Sequence, residues 1–155
     1  MKSKVKVAFY KGKKGFISKL ICWYKDAKYS HCELVYGGYC FSSSEVDGKV
    51  RRKKINLREE TWDVIDIPWL YAPGELFAFF RKHEGKKYDF KGIILSQIFG
   101  HQRHNPNKYF CSEFCAEAIG LRNPQRFDPQ GLYDLLIFGN DIILHRAIKA
   151  DNEKT

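Results

Sequence analysis

The chain has 155 residues, 44% hydrophobic and 15% aromatic, enough for one domain with a sizeable core and inconsistent with a disordered or disulfide-dependent scaffold. Its five cysteines are odd in number and cannot all pair internally; Met1–Val7 holds no apolar run of signal-peptide length and no stretch would span a membrane, so free thiols in a reducing cytoplasmic setting are expected. The formal net charge of +9 favours an anionic partner (nucleic acid, a lipid headgroup surface or an acidic substrate) without choosing among them.

The alternation of Val5 to Tyr10 predicts a first strand. Lys11-Gly12-Lys13-Lys14-Gly15 is a basic loop that lacks the length and the Lys-Ser/Thr ending of a phosphate-binding loop. Phe16 to Trp23 follows helical spacing, with Phe16, Leu20 and Trp23 on one face and Cys22 among the core residues. Tyr29 to Glu45 has the shape of a hairpin turning at Gly37-Gly38, and Asp47-Gly48 is a second turn signal. Val50 to Leu57 predicts a third strand carrying Arg51, Arg52, Lys53 and Lys54, a run that suits an exposed edge or an anionic ligand. Trp62 to Ile67 alternates again.

From Pro73 to Gly85 the period becomes helical, with Pro73 at the start and His83 at the end. Phe90 to Phe99 predicts an apolar helix, and residues 100–108 a polar loop. His101 and His104, three apart and close before Cys111, invite a zinc reading, but no Cys-x-x-Cys or His-Glu-x-x-His spacing accompanies them, so neither metal nor other cofactor is expected. Pro124 and Pro129 mark a loop, Gly131 to Phe138 a short helix, and Ile142 to Ile148 a last strand or extended tail. The expected organisation is one domain over residues 1–150 with a disordered tail, 151–155.

The chemistry concentrates in Tyr109-Phe110-Cys111-Ser112-Glu113-Phe114-Cys115. This stretch starts a helix that Gly120 is placed to end, with Phe110, Phe114 and Ala118 on its buried stripe. Cys111 falls in the first turn, where the helix dipole and backbone N–H groups favour the thiolate and can cradle an oxyanion. Cys115, one turn on, is expected to pack. A base is needed, and His31 in Tyr29-Ser30-His31-Cys32-Glu33-Leu34 is the best candidate, because such a pair meets in space and not in sequence. His101 and His104 remain alternatives.

The order of these motifs resembles a circularly permuted branch of the NlpC-type papain-like superfamily, the YiiX-like proteins and their relatives of the lecithin retinol acyltransferase kind. Three places carry the resemblance: Ser30-His31-x-Glu33-Leu34; Glu45-Val46-Asp47-Gly48-Lys49-Val50; and Gly85-Lys86-Lys87-Tyr88-Asp89 followed by Tyr109-Phe110-Cys111-Ser112-Glu113. It implies an α+β fold in which an antiparallel sheet packs against the helix carrying the nucleophilic Cys. It also implies thiolate attack on a carbonyl to give an acyl-enzyme on Cys111, with His31 as base. The substrate implied is a small peptide or another acyl compound; acyl transfer from a lipid is the alternative within this fold.

A third residue must hold the imidazole. The resemblance favours Glu45. A three-residue hairpin loop would set Glu45 opposite His31, whereas a two-residue loop sets Ser44 there and turns Glu45 away. Glu33, two residues along the same strand and hence on the same face, is the rival. Oxyanion donors are expected from the backbone at Cys111 and Ser112, with Tyr29 as a side-chain candidate, while Ser112 and Glu113 suit capping. A non-catalytic reading stays beside these: a nucleic-acid-binding or membrane-facing surface built from Lys11, Lys13, Lys14, Arg51, Arg52, Lys53 and Lys54.

Overall fold

The computed structural model describes residues 4–12, 19, 26–97, 105 and 107–152. The expected helix from Phe16 to Trp23, and with it Lys13, Lys14, Cys22, His101 and His104, lies outside them. The strands are β1 (Lys6–Tyr10), β2 (His31–Tyr36), β3 (Tyr39–Ser44), β4 (Lys49–Lys53), β5 (Trp62–Asp66), β6 (Lys87–Tyr88) and β7 (Lys108–Tyr109). They form one seven-stranded sheet in the order β5-β1-β2-β3-β4-β6-β7, antiparallel throughout except between β6 and β7. Four α-helices complete the described residues: α1 (Pro73–His83), α2 (Phe90–Gln97), α3 (Cys111–Ala118) and α4 (Pro129–Asn152). The fold is therefore mixed α+β with a mostly antiparallel sheet.

Alternation along the strands builds the core. Val7 and Phe9 of β1, Cys32 and Leu34 of β2, Phe41 of β3 and Val50 of β4 share one cluster with Phe114 and Cys115 of α3. Leu76 and Phe80 of α1 and Leu132 and Leu136 of α4 close it from the helical side. The β2–β3 hairpin turns on Gly37 and Gly38, both at positive φ (59° and 79°), as a two-residue turn whose twist matches the strands requires. Its register, Tyr36 opposite Tyr39 and Leu34 opposite Phe41, decides which residues face His31.

Helix α3 is short and almost wholly buried; Phe110 and Phe114 anchor it one turn apart. It stops at a Schellman motif: the Leu121 N–H reaches the Ala116 carbonyl (2.9 Å) and the Gly120 N–H the Glu117 carbonyl (3.0 Å), with Gly120 at φ 83°. The C-terminal segment differs from expectation. Ile142 to Ile148 does not form a strand; it continues α4, a 24-residue helix reaching Asn152 within the expected tail. No Pro or Gly follows Gly139, and Leu144, Arg146, Ala147, Lys149 and Ala150 favour helix where no strand among the described residues pairs with them. Strand β4 is also not the edge of the sheet, since β3 and β6 flank it. No helix among the described residues is long and apolar enough to cross a membrane.

Gly120→Ala should lower stability by about 1–2 kcal/mol, because the left-handed backbone there penalises a Cβ. Urea denaturation measures the loss, and Cys111 reactivity should not change with it.

Candidate active site

The sheet forks where the site forms. Strands β2 and β3 pair from Tyr36 back to Leu34, and the ladder then stops while β3 continues against β4. Had it continued, Cys32 would pair with Ser43. Instead the Ser42 hydroxyl donates to the Cys32 carbonyl (2.8 Å), and the Ser43 hydroxyl donates to the Tyr109 carbonyl (2.6 Å), two residues before the nucleophile candidate. The Cys32 N–H is freed of a strand partner on that side, where the helix that begins at Cys111 packs against β2. The fork thus pins the start of α3 against β2.

His31 opens β2 beside Tyr10 of β1. Its Nε2 lies 2.7 Å from Glu33 Oε1, which leaves Nδ1 for another partner, and the ring is near enough to Cys111 for the charged forms of the two to favour each other. The two-residue turn fixes the β2–β3 register at Leu34 opposite Phe41, and Glu45 lies beyond the end of β3. The carboxylate hydrogen-bonded to the imidazole is Glu33, the rival to Glu45, because a period of two keeps residues 31 and 33 on one face.

Glu33 is fully buried and bound by more than the imidazole. Arg51 Nη1 and Nη2 lie 2.8 and 2.6 Å from its two oxygens, and Arg51 Nε lies 2.8 Å from Asp47 Oδ2. This bidentate fork makes Arg51 part of the site rather than of a basic surface; its side chain is only 11% exposed. The alternation of β4 was the available signal. Arg51 and Lys53 share the face of Glu33 and Asp47, while Arg52 and Lys54 point the other way and flank the Tyr39 ring. Of the other cations expected on an anion-binding surface, Lys11 binds Asp63 (3.0 Å).

Protonation states follow from this array. Burial by itself pulls the His31 ring down, but the Cys111 thiolate and the Glu33 carboxylate outweigh it and push it up to about 10. Burial likewise opposes the Glu33 charge, yet His31 and Arg51 hold its carboxyl below the usual range. For Cys111 the hydrogen bond from the Cys32 thiol, then the His31 charge and the Cys32 N–H, prevail over burial and hold the thiol well below its ordinary value. Burial drives Cys40 the opposite way, to about 12, and raises Cys32 as well. The four described cysteines are all free and buried, and Cys111 is the one whose thiol is lowered.

The remaining candidates are placed elsewhere. The Ser112 hydroxyl donates to the Phe127 carbonyl (2.7 Å), tying α3 to the following loop; it does not cap the helix, whose N-cap is Phe110. The Tyr29 hydroxyl donates to Asp63 and packs against Tyr133, so it is not directed at Cys111 as an oxyanion donor. Glu45 lines a cavity of about 170 Å³ whose walls are Tyr10 and Trp62 and whose inner end is His31, Glu33 and Arg51. Trp62 stacks on Tyr10 (4.9 Å) and meets His31 edge-on (6.4 Å). The cavity is lined by His31 and not by Cys111, a residue that is 2% exposed. Among the described residues no group of three His, Cys, Asp or Glu side chains is placed to hold a metal ion.

Two outcomes separate the carboxylates. By NMR titration, Glu33→Gln should lower the His31 midpoint from about 10 by about 1–3 in pH, whereas Glu45→Gln should leave it in place. Arg51→Ala should cost about 3–5 kcal/mol in urea unfolding, because it leaves Glu33 buried with one fewer cation.

No family model matches the chain, and no curated protein matches it.

Proposed function

We propose that the chain is a cysteine-dependent hydrolase that cleaves an amide or related acyl bond, with Cys111 as nucleophile, His31 as acid–base and Glu33 as the residue that orients His31. The observation that carries this reading is the arrangement of three residues: Cys111 in the first turn of a buried helix, its thiol lowered by Cys32 and by the His31 charge, and His31 held through Nε2 by the buried Glu33 carboxylate at 2.7 Å. The resemblance of the motif order to the permuted NlpC-type papain-like proteins supports the same chemistry, with Glu33 in place of Glu45.

In this mechanism the Cys111 sulfur attacks the carbonyl carbon. The N–H groups of Cys111, Ser112 and Glu113 precede the first intrahelical bond of α3, from the Phe114 N–H to the Phe110 carbonyl, and supply the positive end of the helix to the oxyanion. His31 gives its proton to the leaving group, and Glu33 keeps the ring in place through the transfer. The cavity between Tyr10 and Trp62 lies on the imidazole side of the sulfur and so receives the leaving group. Its volume of about 170 Å³ suits one ring-sized or side-chain-sized group. Water on the same side, activated by the now neutral His31, releases the acyl group.

The pH dependence of Cys111 alkylation, read by mass spectrometry, tests the pair. In the wild type, iodoacetamide should label Cys111 ahead of the other cysteines at pH 6, and the imidazolium partner should persist until pH approaches about 10. His31→Ala should slow labelling at pH 6 by at least about tenfold and restore an ordinary thiol profile. Equal labelling of all cysteines in the wild type would remove the hydrolase reading.

A further inference from the structure

Strand alternation divides the basic run of β4 between two faces, and the two halves find different surroundings. On the face of the candidate active site, Arg51 binds Glu33 and Asp47, and Lys53 binds Asp47. Arg52 and Lys54 leave on the other face, both exposed. Both lie over the Tyr39 ring, at 4.9 and 5.3 Å from its centre. Among the described residues neither is joined to a carboxylate, and the same holds for the exposed Arg81 of α1.

These cations border a groove of about 460 Å³ between β4 and α1. Gly74, Phe77, Arg81 and Glu84 line its helical side as one stripe along α1 and its C-cap. Arg52 lines it from β4, and the buried Phe80 closes the bottom. Phe77, still 36% exposed, meets the Tyr36 ring edge-on at 5.7 Å and the Phe41 ring at 5.8 Å. Phe41 in turn meets Phe80 at 5.2 Å. The floor is thus aromatic and fixed by the core, and the rim sets two arginines against the single carboxylate of Glu84.

We infer that this groove binds single-stranded nucleic acid, with bases on the aromatic floor and phosphates on Arg52, Lys54 and Arg81. The rings supply stacking that every base accepts, and the guanidinium groups bind phosphate through paired N–H donors. The net charge of +9 draws a polyanion to the chain, and the groove is where cations without carboxylate partners and exposed aromatic surface coincide. Its concave shape disfavours a lipid surface, which would meet the rim and leave the floor empty. An acidic peptide would pair with the arginines but would leave the stacking surface unused. A duplex keeps its base faces within its own stack. The groove lies on the opposite face of the sheet from Glu33 and Arg51, so the inference uses neither Cys111 nor its substrate.

The test uses the full chain and a fluorescein-labelled oligothymidylate of about 12 nucleotides, read by anisotropy. Affinity should fall with salt at a slope of about −2 in log K against log salt, the value for three phosphate contacts on a single strand. Arg52→Ala and Arg81→Ala should each weaken binding at least about fivefold and reduce the slope by about 0.7. Phe77→Leu, which keeps the apolar packing but removes the ring, should weaken binding and leave the slope unchanged. Lys6→Ala removes one charge from the Asp66 pair on β1 and should bind as the wild type does. Equal losses in Lys6→Ala and Arg52→Ala would overturn the inference, because they would reduce it to general charge attraction. So would absence of binding at low salt, duplex DNA bound as tightly as the single strand, or binding to phosphatidylglycerol vesicles but not to the oligonucleotide. Each of these results would leave Cys111 labelling, and with it the hydrolase reading, as it stands.

Discussion

A fully buried carboxylate is the constraint on which this structure turns. Glu33 has no exposure, and an isolated charge in that position would cost several kcal/mol. The chain meets the cost by placing cations on both sides of it. His31 takes one oxygen and the Arg51 fork takes both, while Asp47 fixes the far edge of the guanidinium. Asp47 is itself held by the turn after β3, where its N–H donates to Ser44 Oγ (3.2 Å). The result is a row of alternating charges, Cys111, His31, Glu33, Arg51 and Asp47, in which each member justifies the next. Such an array stabilises within a pH window. The raised His31 contributes fully below its ordinary value near 6.5 and loses its contribution as pH rises through about 10. Glu33 and Asp47 are lowered, so theirs is present above the ordinary carboxylate range and lost as pH falls. All three act together at neutral pH.

The fork between β2 and β3 explains how one sulfur reaches two residues that face opposite ways. His31 and Cys32 are neighbours on a strand, so their side chains leave on opposite sides of the sheet. A group packed against either face would meet only one of them. The Cys111 thiol is influenced by both because its helix begins where β3 has turned away, at the free side of the β2 backbone. The hydroxyls of Ser42 and Ser43 compensate the two sides of the opening, which is why two serines are fully buried in the middle of the sheet.

Much of this was legible in local patterns. The hairpin, the helix that begins at Cys111 and ends before Gly120, and the distant pairing of Cys111 with His31 all follow from turn chemistry, periodicity and residue type. The carboxylate on His31 did not, because the case for Glu45 depended on one residue of loop length: two glycines in the turn set Tyr36 opposite Tyr39, and a three-residue loop would have shifted the register towards Glu45. Arg51 was hidden by its neighbours, since four successive cations read as one solvated run until strand alternation divides them between two faces. Helix α4 was misjudged over Ile142 to Ile148 for the opposite reason. Its isoleucines carry a local strand preference, and only the absence of a partner strand decides for helix.

The identity of residue 32 follows from the same geometry. Its side chain must lie in the apolar core against α3 and still present a donor to a thiolate at the edge of that core. An aliphatic residue would satisfy the first demand and remove the thiol that favours the charged form of Cys111. A serine would satisfy the second and bury a hydroxyl, which needs more hydrogen bonding than the contacts with Cys111 and Cys115 provide. Cysteine is small, apolar and a weak donor, and so meets both demands. A neutral donor also leaves the charge balance of the row unchanged, so that His31 remains the sole cation facing the sulfur among its described partners. The polar row on one face of the sheet and the apolar core on the other therefore meet at a single sulfur, and Cys32 is the residue that lets the core side of that boundary support a charge.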